Sequence, residues 1–184
     1  MFEALRTRAQ NLPQIFPYPP AINCPQRPIA STYGAIQEFR QPITAAGAAV
    51  LTNYILWRED NKAIYLVAKA DQPTGVAKVY PYEDTWADNQ PAIMPECAAI
   101  VAPQDAPPPA DPNMALQVPR RGFGKVWCKD KWQDKIGFGV GKEFGTTFAI
   151  QETAGGVYIS ISSWPGHSPV MFLLDIQRGG ALAP

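Results

Sequence analysis

The chain is short of charge. Only 17% of its 184 residues are Asp, Glu, Lys or Arg, sixteen of each sign, so the formal net charge is zero and the pI about 6.6. An average soluble domain carries about 25%. The balance leaves no basic face to neutralise a phosphate backbone or an anionic lipid surface, which excludes general nucleic-acid binding and polybasic membrane attachment. A surface this poor in charge relies on neutral polar groups or is covered by a neighbour. Long apolar runs are missing as well: no stretch nears the roughly twenty residues of a membrane span. The start, Met1-Phe2-Glu3-Ala4-Leu5-Arg6, lacks the basic region, apolar run and cleavage site of a signal peptide. An exported form would therefore have lost its leader or would begin inside a longer precursor; a cytoplasmic origin is the alternative.

Histidine and cysteine are scarce. The single histidine, His167, sits in Trp164-Pro165-Gly166-His167-Ser168-Pro169 between two predicted strands, and reads as a solvated loop residue rather than a general base. No Gly-x-Ser-x-Gly elbow supplies a nucleophile, which leaves Cys128 with His167 as a pairing on paper only. Cys24, Cys97 and Cys128 form no CxxC, and with one histidine they make no zinc site. They are free thiols or one disulfide plus a remainder. If a disulfide forms, Cys24 and Cys97 are the expected pair, because both lie in proline-bounded irregular chain that a staple would restrain. Acids occur as Glu59-Asp60, Glu83-Asp84 and Glu143, each read as solvated or capping, and none selects the facing pair of a glycosidase. Asp84, Asp88 and Asn89 lack EF-hand spacing. Gly122, Gly124, Gly137, Gly139 and Gly141 lack a Gly-Lys-Ser/Thr ending and read as tight turns and close backbone approaches. The expectation is a non-enzymatic chain without metal or cofactor.

What the chain has is proline, twenty of them, about twice the usual ~5%. After a short amphipathic helix over residues 2–11, six prolines between Pro13 and Pro28 alternate with Ile15, Phe16, Tyr18 and Ile22. Such a segment is no helix and no central strand. Residues 1–31 read as an extended arm whose apolar side chains, Ile15, Phe16 and Tyr18 foremost, seek another protein chain. Residues 32–90 form a first β unit: Ala35–Phe39, Tyr54–Arg58 and Ala63–Val67 alternate or carry β-rich residues, with a turn over 59–62, and Gly75–Tyr80 follows. Residues 91–119 hold eight prolines and read as a stiff spacer with polyproline II at Pro107-Pro108-Pro109. Residues 120–176 form a second unit, with a charged helix over 129–135 ended by glycines and strands at 147–152, 157–162 and 170–174. Residues 177–184 are a tail.

Ala35-Ile36-Gln37-Glu38 recurs letter for letter as Ala149-Ile150-Gln151-Glu152, and three strands follow in the same order each time. The expectation is a mainly β fold of two small antiparallel units, a duplicated three- to four-strand motif, with Ile36 matching Ile150 and Tyr65 matching Phe172. Trp57, Trp127, Tyr65 and Tyr158 read as core. Trp164, flanked by proline and glycine, and Trp86, beside two acids, are the candidate exposed contacts.

Arg121-Gly122-Phe123-Gly124-Lys125-Val126-Trp127, Ile136-Gly137-Phe138-Gly139, Ile150-Gln151 and Gly156-Val157-Tyr158 resemble the RGFGKVW repeat modules of uncharacterised secreted bacterial proteins, and are distantly similar to LGFP repeats. The likeness spans residues 32–90 and 118–175; the LGFP turn lacks its proline here. It implies a non-catalytic extracellular or cell-surface module with no established ligand. Three functions are carried forward, in this order: a structural or binding component of a multi-chain assembly joined through the arm, a module binding cell-wall glycan, and, last, a hydrolytic enzyme.

Overall fold

The computed structural model describes residues 26–43, 50–69, 77–177 and 179–182. Alternating apolar residues make the first half a four-stranded antiparallel meander: β1 (Ala30–Arg40), β2 (Asn53–Arg58), β3 (Ala63–Lys69) and β4 (Ala77–Glu83). A two-residue strand β5 (Leu116–Gln117) and two helices, α1 (Arg121–Lys129) and α2 (Gln133–Ile136), precede a second meander. Its strands are β6 (Phe138–Glu152), β7 (Gly156–Ile161), β8 (Val170–Asp175) and β9 (Gly180–Leu182). The sheet order is β1-β2-β3-β4-β9-β8-β7-β6-β5, and β1 also pairs with β6 over most of its length. Among the described residues, eight antiparallel strands thus close into a barrel, with β5 on the spare edge of β6.

Closure follows from the side chains. Ile36, Leu56, Tyr65, Val67, Phe148, Ile150, Ile159 and Phe172 form one buried cluster that fills the barrel. Each such side chain stabilises the fold by about 1.5–3 kcal/mol on burial. The opposite face of the first meander is also apolar, through Phe39, Ile55, Ile64 and Leu66. There α1 lies across it with Phe123, Val126 and Trp127 at i, i+3 and i+4. Burial on both faces is why β2 reads Tyr-Ile-Leu-Trp without a polar break.

Three expectations need correction. The helix of the second half begins earlier than residue 129, because Phe123, Val126 and Trp127 are its buried stripe; the 129–135 segment contains a turn before the single turn of α2. Gly124 is needed there, since a Cβ would come 2.6 Å from the Pro119 carbonyl oxygen. Second, residues 91–119 are no free spacer. They run over the barrel as a strap with two short 3-10 turns, held by a Cys97–Cys128 disulfide and by Asp105, which accepts both terminal nitrogens of Arg40 at 2.7 Å. Pro107 follows a cis peptide bond. Third, the C-terminal residues 180–182 are no loose tail but the strand between β4 and β8 that completes the barrel.

Nor are the two halves separate units: they hydrogen-bond to each other at both seams, β1–β6 and β4–β9. Both run in the same meander order. Ile36 pairs across to Leu56 and on to Tyr65, while Ile150 pairs to Ile159 and on to Phe172.

Candidate functional site

A groove of about 370 Å³ lies where β1, β6 and the start of α1 meet. β1 contributes Tyr33, which is 51% exposed and forms an edge-to-face contact with Trp57 of β2 at 6.5 Å. After β4 the chain turns on Asp84, whose carboxylate accepts the Trp86 backbone N–H at 3.1 Å. Trp86 is held by its own indole N–H, which donates to the Pro91 carbonyl at 3.4 Å. Two glycines let these groups sit so close: a Cβ on Gly145 would collide with the Tyr33 hydroxyl, and one on Gly122 would come 2.7 Å from the Asp84 carboxylate.

Arg121 opens α1 with φ +53°, a left-handed conformation that few non-glycine residues adopt and that stores strain at functional sites. Its backbone N–H donates to the Ala92 carbonyl at 2.6 Å. The conformation sends its guanidinium over the Trp86 ring, 5.8 Å from the centroid, and to Glu143 of β6 at 3.2 Å. Burial pushes the Glu143 carboxyl above its usual range, nearby Asp84 adds to that, and Arg121 opposes both. The buried indole N–H of Trp57 has no hydrogen-bond partner among the described residues. The groove thus presents aromatic faces beside a carboxylate–guanidinium pair.

A second polar cluster caps the other end of the barrel. Glu38 has the same strand parity as Ile36, so its carboxylate enters the barrel mouth with the side chain 14% exposed. His167 comes from the β7–β8 loop to within 3.6 Å of it and stacks on Trp164 at 3.8 Å. Trp164 in turn meets Tyr54 edge-on at 6.1 Å and packs on the barrel core. The expectation of a solvated His167 is therefore corrected: packing of Trp164 draws its loop over the mouth. Burial raises the Glu38 carboxyl, against the lowering by His167, Arg40 and Lys69. Tyr54 is pushed up to about 12 by burial, with Glu38 adding to it.

Of the residues singled out in the sequence, Trp86 lines the groove and Trp164 the barrel mouth, at opposite ends of β1 and without contact. Trp127, Tyr65 and Tyr158 are core as expected, whereas Trp57 is half-buried and faces the groove. Cys97 bonds to Cys128, not to Cys24, because α1 brings Cys128 against the strap. Cys24, Ile15, Phe16 and Tyr18 lie outside the described residues. Tyr33, Arg121 and Glu143 were missed as site residues. The pattern that marks them is a run of glycines beside them, Gly122, Gly124, Gly141 and Gly145. No group of three or more metal-ligating side chains occurs among the described residues, and none of their helices is long and apolar enough to cross a membrane. No family model, curated protein or solved structure matches the chain. The fold and site define a closed antiparallel β-barrel with an aromatic groove on its outer face.

The two raised carboxyls set a pH dependence. A carboxyl whose folded value exceeds its unfolded one makes the fold more stable as pH falls through the folded value toward the unfolded one. Glu38 and Glu143 do this above their ordinary 4.5. Asp105 has the opposite sign: hydrogen bonds from Arg40 hold it below its ordinary 3.8, so its contribution is lost in stronger acid. Urea midpoints are expected to rise from pH 7 toward about 4.5 and to fall below about 3.8. A Glu38→Gln/Glu143→Gln variant is expected to lose the rise and keep the fall. A wild-type midpoint that falls steadily from pH 7 downward contradicts this.

Proposed function

We propose that this chain is a non-catalytic extracellular binding module that holds a saccharide in the groove between β1 and α1. The observation that carries the reading is the groove's lining. Tyr33, Trp57 and Trp86 offer flat apolar faces for the C–H side of a sugar ring, and Arg121, Glu143 and Asp84 stand beside them to meet its hydroxyls. Pockets of this kind recognise ligands through apolar walls and a few fixed polar groups. The Cys97–Cys128 disulfide supports an oxidising compartment outside the cytoplasm, where such bonds persist. The likeness to secreted RGFGKVW modules agrees with that setting. We also infer that the barrel arose by duplication of one meander; the shared tetrapeptide and the matching rows Ile36–Leu56–Tyr65 and Ile150–Ile159–Phe172 support it.

The test is a panel of soluble oligosaccharides read by thermal shift and calorimetry, with product analysis by mass spectrometry. At least one neutral oligosaccharide is expected to bind and to be recovered uncleaved. Trp86→Ala is expected to weaken that binding at least about tenfold, or about 1.4 kcal/mol, with the melting temperature nearly kept. Binding indifferent to Trp86 and Tyr33, or steady release of shortened products, overturns the proposal.

A further inference from the structure

Building on the saccharide reading, we propose that the groove selects neutral saccharides and disfavours both uronic and amine-bearing ones, because each formal charge that lines it already has a partner inside the fold. Arg121 is the groove's cation. It donates to Glu143 at 3.2 Å and lies over the Trp86 ring. An anionic sugar that takes the guanidinium's remaining N–H groups stands beside the Glu143 carboxylate and meets its like charge. The Glu143 side chain is 29% exposed, so solvent screens that repulsion only in part. Like charges brought together in this way disfavour the wrong partner.

Asp84 is engaged in a different way. Its carboxylate accepts the Trp86 N–H and sits against Gly122, in the first turn of α1. The first turn carries the positive end of the helix dipole, which an acidic side chain satisfies. A sugar ammonium approaching Asp84 meets that positive end and the Arg121 guanidinium together. Among the charged residues that line the groove, no anion is left over for a cationic sugar and no cation for an anionic one, and the neighbouring Lys62 lies over the Trp57 ring at 5.3 Å.

What remains free is hydrogen-bonding capacity without net charge. The Arg121 side chain is 60% exposed, and its fork and the Glu143 carboxylate can read neighbouring hydroxyls while staying paired. A neutral pyranose over the aromatic faces satisfies all of these together.

The experiment is isothermal titration of the folded protein at pH 7 with four tetramers: cellotetraose and fully acetylated chitotetraose as neutral probes, tetragalacturonate as the acid, and deacetylated chitotetraose as the amine. At least one neutral tetramer is expected to bind about tenfold or more tighter than either charged one. In Glu143→Gln the guanidinium loses its acidic partner, and tetragalacturonate is expected to gain about tenfold or more while the neutral probe weakens. A charged tetramer that binds wild type as tightly as the neutral ones overturns the selectivity and leaves the saccharide reading standing. So does a Glu143→Gln protein, folded by circular dichroism, that gains nothing for tetragalacturonate. Failure of all four tetramers to bind wild type removes the saccharide reading and this inference with it.

Discussion

Asp105→Ala is expected to destabilise the protein by about 3–5 kcal/mol, the range for removing one member of a buried ion pair. The Asp105 side chain is 1% exposed and that of Arg40 is 11%. Both carboxylate oxygens accept from the guanidinium at 2.7 Å, and one of them also accepts the Ile43 backbone N–H at 2.9 Å. The substitution therefore strands a buried guanidinium and a backbone donor together. Fluorescence-monitored urea unfolding measures the loss. A control separates charge stranding from lost packing: Arg40→Met/Asp105→Leu removes both charges and is expected to recover most of the loss. A single variant within about 1 kcal/mol of wild type would show that the strap is not anchored here.

Cys97→Ser/Cys128→Ser is expected to lower stability by about 3–4 kcal/mol. The bridge joins residues 31 apart, and closing a loop of that length in the unfolded chain corresponds to about 3.7 kcal/mol in the chain-entropy description. Both sulfurs lie in the cluster that packs α1 on β2 and β3, so the folded state keeps its other contacts when the bond is cut. The loss should appear under reducing conditions in the wild type to the same extent. The strap and α1 carry Pro91 and Arg121, which position the groove, so saccharide binding is expected to weaken along with stability. Mass spectrometry of the purified chain checks the pairing. A bond from Cys24 to either partner, or no bond at all, would end this account of how the strap is held.

The strand pattern was legible in the sequence because it is local. Residues two apart share a face of a strand, so Ile36, Leu56, Tyr65, Ile150, Ile159 and Phe172 announce an interior row before any contact is known. The same rule carried one overlooked signal. Glu38 follows Gly34 and Ile36 on the interior parity, and an acid there requires a partner, which the barrel mouth supplies as His167. A double-sided apolar strand such as β2 likewise implies a cover, here α1.

Only the tertiary structure decided how the halves meet and where the site lies. Eight strands could close into one barrel or form two small sheets; exchange of hydrogen bonds at the β1–β6 and β4–β9 seams leaves no exposed edge along most of the sheet, and no local pattern encodes that choice. The strap looked like a spacer because its anchors, Asp105 with Arg40 and Cys97 with Cys128, are separated by 65 and 31 residues. The groove was invisible for the same reason. Tyr33, Trp86, Arg121 and Glu143 come from four separate segments, and each is an ordinary surface residue until the helix start, held in its left-handed turn, brings the guanidinium between an indole and a carboxylate.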